Sequence, residues 1–316
     1  MSSLSLSPFQ AVDEMLARLD QGFPDVANLP VEEVRGLLRA RMAAVLNRDD
    51  VASSEDIQIE NGPLVRFYRP HGQNTQTPVI LYFHGGGWVF CSLDSHDAFC
   101  RRLSRETGAA VLSVDYPLAP EHPYPAALHS GVKTLKWVGE KAASLELDPN
   151  RIFVMGDSAG GNLAAALCLW ARDHGGHAIA GQILLYPVLD PDFGSLGYRK
   201  FGKGHYNHTT AMRYYWQSYL GTKDLSEPAD YAAPLRTKSL ANLPPAVIVL
   251  PGRDPTCTEG ERFAKRLQSE GCLYRLRLYP DLFHGFMTML AFAPAESPRQ
   301  ILWSDLRNLI SDQKEA

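Results

Sequence analysis

The sequence predicts an α/β protein with a mainly parallel central sheet flanked by helices. Two observations carry that prediction. From Pro78 onward, short β-rich runs at 79–83, 110–115, 151–155, 180–186, 246–250 and 274–279 alternate with helical patterns near 94–107, 124–143, 159–173, 256–270 and 298–312. Repeated strand, helix, strand units require right-handed crossovers, and hence parallel strands covered on both faces. Glycine clusters follow two of those strands, after Phe83 and after Met155, at the strand ends where open α/β sheets gather their working residues.

Residues 1–50 precede this pattern and form a segment of their own. Pro8 to Leu19 and Val31 to Leu46 place apolar residues at helical spacing, and Pro30 is positioned to start the second. They read as a helical cap, and equally as a helical decoration packed on the body. Residues 51–316 then form the main domain. Ile57 and Ile59 alternate with Val65 and Phe67 across Asn61-Gly62-Pro63, a hairpin signal that makes the sheet open antiparallel. The stretch from Tyr186 to Ala246 is too long for a simple connection. Its helical run, Thr209 to Leu220, is rich in aromatics (Tyr214, Tyr215, Trp216, Tyr219) and reads as a second cap insertion at about 190–230.

Composition excludes several classes. In 316 residues, 45% are hydrophobic and 21% charged, with a net charge of −4, so nothing draws the chain toward nucleic acid or an anionic membrane. No segment approaches ~18 uninterrupted apolar residues, and the N-terminus lacks a basic stretch followed by an apolar core. Cys91, Cys100, Cys168, Cys257 and Cys272 include no Cys-x-x-Cys pair, and an odd, scattered set is a poor disulfide framework. A cytoplasmic location is expected.

The chemistry centres on Met155-Gly-Asp-Ser158-Ala-Gly160-Gly161. A buried strand leads into it and an apolar helix out of it, so Ser158 occupies a sharp strand-to-helix turn that lifts its hydroxyl clear of the sheet. Gly156 and Gly160 must lack bulk because strand and helix nearly touch. The competing reading is a capping serine at a glycine-rich helix start. His84-Gly85-Gly86-Gly87-Trp88 follows the strand at 79–83. The backbone N–H groups of Gly85 and Gly86, with that of Ala159, are expected to converge as an oxyanion hole.

Three segments together resemble the bacterial hormone-sensitive-lipase family of esterases: His-Gly-Gly-Gly-Trp, then Val114-Asp-Tyr-Pro-Leu-Ala-Pro-Glu-His-Pro-Tyr-Pro-Ala126, then Gly-Asp-Ser-Ala-Gly-Gly. They occur in the family's order and the likeness spans nearly the whole chain. The resemblance implies an α/β-hydrolase fold with a helical cap, and a Ser, Asp, His triad that hydrolyses small-molecule carboxylic esters without metal or organic cofactor. Two positions depart from the family pattern: Pro117 replaces an arginine, and Thr258 replaces an aspartate.

In this fold the acid and then the base follow the nucleophile along the chain. Asp254 lies just beyond the strand at 246–250 and His284 beyond the last strand, so Ser158 is expected as nucleophile, His284 as base and Asp254 as its orienting acid. Asp281 and Glu259 are the competing acids, the first read as a turn residue and the second as a helix opener. His84 is expected to brace the glycine loop, and no His set has metal-ligand character. Trp88, Phe201, Tyr206 and Trp216 are expected to wall the substrate pocket. Short to medium acyl esters are the expected substrates, with an amidase or deacetylase, or a non-catalytic receptor on the same scaffold, as alternatives. A homodimer through the strand at 274–279 is compatible with Leu276 and Leu278, although Arg275 and Arg277 could instead protect that edge.

Overall fold

The computed structural model describes residues 7–42, 44–72 and 76–312; the outermost residues of the two predicted segments, 1–6 and 313–316, lie outside these. In chain order its main elements are α1 Pro8–Gly22, α2 Val31–Ala40, β1 Ser53–Gln58, β2 Leu64–Arg69, β3 Thr77–Phe83, α3 Leu93–Thr107, β4 Ala110–Asp115, α4 Ala126–Lys141 and β5 Leu147–Asp157. They continue as α5 Ala159–His174, β6 Gly181–Leu185, α6 Leu196–Phe201, α7 Thr209–Leu220, β7 Ala246–Arg253, α8 Cys257–Ser269, β8 Tyr274–Phe283 and α9 Glu296–Asp312.

The eight strands form one sheet in the order β1-β2-β4-β3-β5-β6-β7-β8. The β1–β2 hairpin turns at Asn61, whose φ of +54° suits the tight reversal. β2 joins β4 antiparallel, and every pairing from β4 through β8 is parallel.

Period-two alternation divides the interior. Val79, Leu81 and Val154 point to the face covered by α4, α5 and α8, where Leu135, Leu163 and Phe263 are buried with them. Ile80, Tyr82 and Met155 point to the other face, against Phe99 and Leu103 of α3 and Trp303 of α9.

From β3 the chain crosses through α3 to β4 on one side, whereas from β5 it crosses through α5 to β6 on the other. The crevice beyond the C-terminal ends of β3 and β5 is therefore a topological switch point. Phe83 pairs with Gly156 there, which brings the glycine loop after β3 beside the turn after β5.

The second N-terminal helix is shorter than its apolar periodicity predicts. It stops at Ala40, and Leu46, counted in the predicted stripe, is 92% exposed, so the last position of the stripe has no surface to bury against. β8 is an edge strand, and Arg275 and Arg277 on it bond inward to Asp305 of α9 at 2.6–2.9 Å.

Candidate active site

Ser158 joins β5 to α5 with φ +57° and ψ −118°, a conformation that costs a non-glycine residue of order 1–3 kcal/mol and is held by its neighbours. The Ser158 N–H donates to Leu185 O at 2.8 Å, and Ser158 O accepts from Asn162 and Val188 N–H. The glycines on either side are sterically compelled. A Cβ on Gly156 would lie 2.2 Å from the Gly160 backbone, and one on Gly160 only 1.9 Å from Phe83 O.

Two later strand ends complete the arrangement. His284 lies just after β8, with its Nε2 2.8 Å from Ser158 Oγ and its Nδ1 2.7 Å from Asp254 Oδ2, beyond β7. A carboxylate only accepts, so Nδ1 carries the proton and Nε2 is left as the acceptor for the serine hydroxyl. Asp254 is fully buried, and its other oxygen accepts the Thr256 N–H at 2.9 Å.

Asp281 and Glu259 go elsewhere. Asp281 is exposed on β8. Glu259 is buried and accepts from the Leu189 and Asp190 N–H groups at 2.5 and 2.8 Å; burial raises its carboxyl well above the ordinary range. Thr258, the family departure beside it, accepts the Gly197 N–H at 3.0 Å and so ties α6 to α8.

The glycine loop corrects one expectation. Gly85 does not offer its N–H to a substrate, because that group donates to Asp157 Oδ1 at 2.9 Å. Gly86 and Gly87 line the cavity instead, and neither N–H has a partner among the described residues. Gly87, absent from the expected set, has φ +60°, and a Cβ on it would meet the Tyr215 ring at 2.5 Å. Ala159 is buried in the first turn of α5, where N–H groups lack intrahelical acceptors. Gly86 and Gly87 thus line the crevice beside Ser158, and Ala159 follows Ser158 directly in the chain.

Asp157 organises this side of the site. Its carboxylate also accepts from Tyr82 Oη at 2.7 Å and lies 3.3 Å from His96 Nε2. Burial pushes its pKa up, but His96, Tyr82 and His84 outweigh burial and hold it below the usual aspartate range. His84 is fully buried, donates from Nδ1 to Gly85 O at 2.7 Å and stacks on Tyr116; burial pushes its pKa down to about 4. His96 and Tyr82 were not singled out in the sequence, where nothing in their spacing relates them to Ser158.

The site opens into a cavity of about 380 Å³, walled by Phe23, Leu38, Phe90, Tyr206, Tyr215 and Met289 among others. Of the four aromatics expected there, the structure brings only Tyr206 to the cavity. Trp88 and Trp216 are buried behind the glycine loop, Trp88 stacked on Tyr219 at 4.2 Å, and Phe201 packs against His205. The two tryptophans join the loop to α7, so they are packing and not wall. Among the described residues no group of three or more His, Cys, Asp or Glu side chains is placed to hold a metal ion, and no helix is long and apolar enough to cross a membrane.

A family profile described as alpha/beta hydrolase fold matches residues 80–288. Carboxylic ester hydrolase LipN of Mycobacterium tuberculosis is 41% identical over 230 residues, 71% of this chain and 61% of LipN. The chain belongs to the hormone-sensitive-lipase-like family of α/β-hydrolase esterases. Another relative in this esterase family, esterase LipI of the same organism, is 39% identical over 74% of each chain. Among solved structures, the hyperthermophilic esterase of the archaeon Pyrobaculum calidifontis superposes with a TM-score of 0.85 at 32% identity, over 98% of this chain and 99% of its own. The family profile starts inside β3 and ends at Thr288, so it includes Ser158, Asp254 and His284 but not α1 or α2.

Proposed function

We propose that this protein is a serine carboxylesterase that hydrolyses short to medium acyl esters through an acyl-enzyme. The observation that carries the reading is the pair of hydrogen bonds on His284, 2.8 Å to Ser158 Oγ and 2.7 Å to Asp254 Oδ2, at the floor of an aromatic-lined cavity. The names of the relatives, carboxylic ester hydrolase and esterase, support the same reaction class.

In this reading His284 Nε2 takes the Ser158 proton as Oγ attacks the ester carbonyl, and Asp254 stabilises the imidazolium formed. The carbonyl oxygen gains negative charge and is met by the N–H groups of Gly86, Gly87 and Ala159. His284 then gives its proton to the leaving alkoxide, which departs as the alcohol. Water enters, loses a proton to the same nitrogen, and attacks the acyl-enzyme; collapse returns the proton to Ser158 and releases the acid. The N-terminal helices and α7 act as the cap over this site, since Leu38 of α2 and Tyr215 of α7 both wall the cavity.

Steady-state hydrolysis of p-nitrophenyl acetate to palmitate by the wild type and Ser158→Ala tests the proposal. Expected is a preference for the shorter chains and a loss of roughly 10⁴-fold or more in kcat for the variant. Equal rates for both proteins would overturn the nucleophile, and a preference for a matched anilide over the ester would make the protein an amidase.

A further inference from the structure

Phe23 directly follows α1, and Tyr206 lies in the connection between α6 and α7. Their rings meet edge to face, with centroids 5.0 Å apart and planes at 88°. Both line the cavity above Ser158. The same two residues also line a second cavity of about 270 Å³, whose other walls come from Asp20 to Ala27 and from His208 to Ala211. One pair of rings therefore separates the two spaces.

The partition is anchored from the α1 side. Asp20 Oδ1 accepts the Tyr206 N–H at 2.8 Å and lies 2.6 Å from His208 Nε2. Tyr206 has φ +67°, a left-handed conformation that bulky side chains rarely adopt, and the bond from Asp20 helps to hold it there. Because α1 supplies both the Asp20 anchor and the Phe23 ring, the length of the space above Ser158 is set by a segment outside the stretch that the family profile matches.

We propose that the Phe23–Tyr206 pair sets the length limit for one of the two chains of the ester, and that the second cavity is an extension of the substrate site from which these rings divide it. The proposal rests on the esterase reading above. A chain growing along the first cavity meets two rings that touch, and it can lengthen further only where one of them is removed. In an apolar pocket a single methylene accommodated or refused changes kcat/KM by roughly tenfold or more.

The test uses the wild type, Phe23→Ala and the milder Phe23→Leu with two substrate series: p-nitrophenyl esters of lengthening acyl chain, and acetates of lengthening alcohols. Thermal melting verifies that each variant is folded. In one series the wild type is expected to fall steeply beyond a particular length, and both variants to move that break to longer chains, alanine further than leucine. The long-to-short ratio of kcat/KM should rise by about tenfold or more, with the other series unmoved. A shift in the acyl series assigns the partition to the acyl chain, and a shift in the alcohol series to the leaving group. Folded, active variants that keep the wild-type break in both series would overturn the proposal. No ester hydrolysis by the wild type would instead strike the esterase reading.

Discussion

Gly85 and Gly87 stand two residues apart in one loop but differ in their partners. The first gives its N–H to Asp157, and the second lines the cavity with no partner for its N–H among the described residues. Replacement of Gly87 by alanine would put a methyl group into the Tyr215 ring at a φ of +60°, so the loop must shift and, in the proposed mechanism, carry the N–H of residue 87 off the developing oxyanion. Loss of one such donor typically lowers kcat by about 100-fold or more. Gly87→Ala is accordingly expected to lose kcat on a short ester by that order, with a much smaller change in KM; a kcat within a few fold of wild type would remove Gly87 from the oxyanion hole. Ser158, Asp254 and His284 could be singled out in the sequence because each follows a strand end. Which glycine N–H remained free could not, since it depends on the reach of the Asp157 side chain across the β3–β5 pairing.

One side chain, Arg35, ties the N-terminal helix α2 to the body by hydrogen bonds, beside the apolar packing of Val31, Val34 and Leu38. Arg35, with only 12% of its side chain exposed, donates to Val89 O and Ala119 O at 3.0 Å and binds both oxygens of Glu121 at 2.9 Å. It thus joins α2 to the loop after β3 and the loop after β4 at once. Residue 117, where the family usually carries arginine, is proline here, and Glu121 a few residues on takes its guanidinium from α2. Truncation to Arg35→Ala would leave two part-buried carbonyls without these donors, at a typical cost of about 1–3 kcal/mol. Amide exchange across residues 31–40 should then quicken by roughly tenfold or more, and KM should rise because Leu38 of α2 walls the cavity. Unchanged exchange would mean that apolar contacts such as those of Val34, fully buried, hold the helix unaided. Periodicity made α1 and the start of α2 legible, but not this attachment, because the groups outside α2 that Arg35 binds lie 54 to 86 residues away.

For the molecule as a whole, two buried titratable groups beside the site shape stability on the acid side. Burial holds the pKa of His84 at about 4, against 6.5 for the free side chain, and its Nε2 has no hydrogen-bond partner among the described residues. Between those values the unfolded chain binds a proton that the folded chain refuses, so stability is complete above about pH 6.5 and falls as the pH drops toward 4, by up to roughly 3 kcal/mol. The depressed Asp157 carboxyl acts in the same direction further down, since its contribution is present above the ordinary aspartate range and lost as the pH falls through its folded value. Urea melts from pH 7 to about 4.5 should show the wild type losing stability more steeply than His84→Gln; parallel losses would place the acid sensitivity elsewhere. The sequence by itself determined the alternation of strands and helices, the antiparallel opening hairpin and the placing of Ser158, Asp254 and His284 at strand ends, because periodicity and turn chemistry act over a few residues. Only the tertiary structure decided which glycine N–H groups stay free, that Tyr206 and Tyr215 reach the cavity while Trp88 and Trp216 are buried behind it, and where the second N-terminal helix stops. Those outcomes depend on strand register and on which side chains meet across long separations, and no local pattern in a chain encodes either.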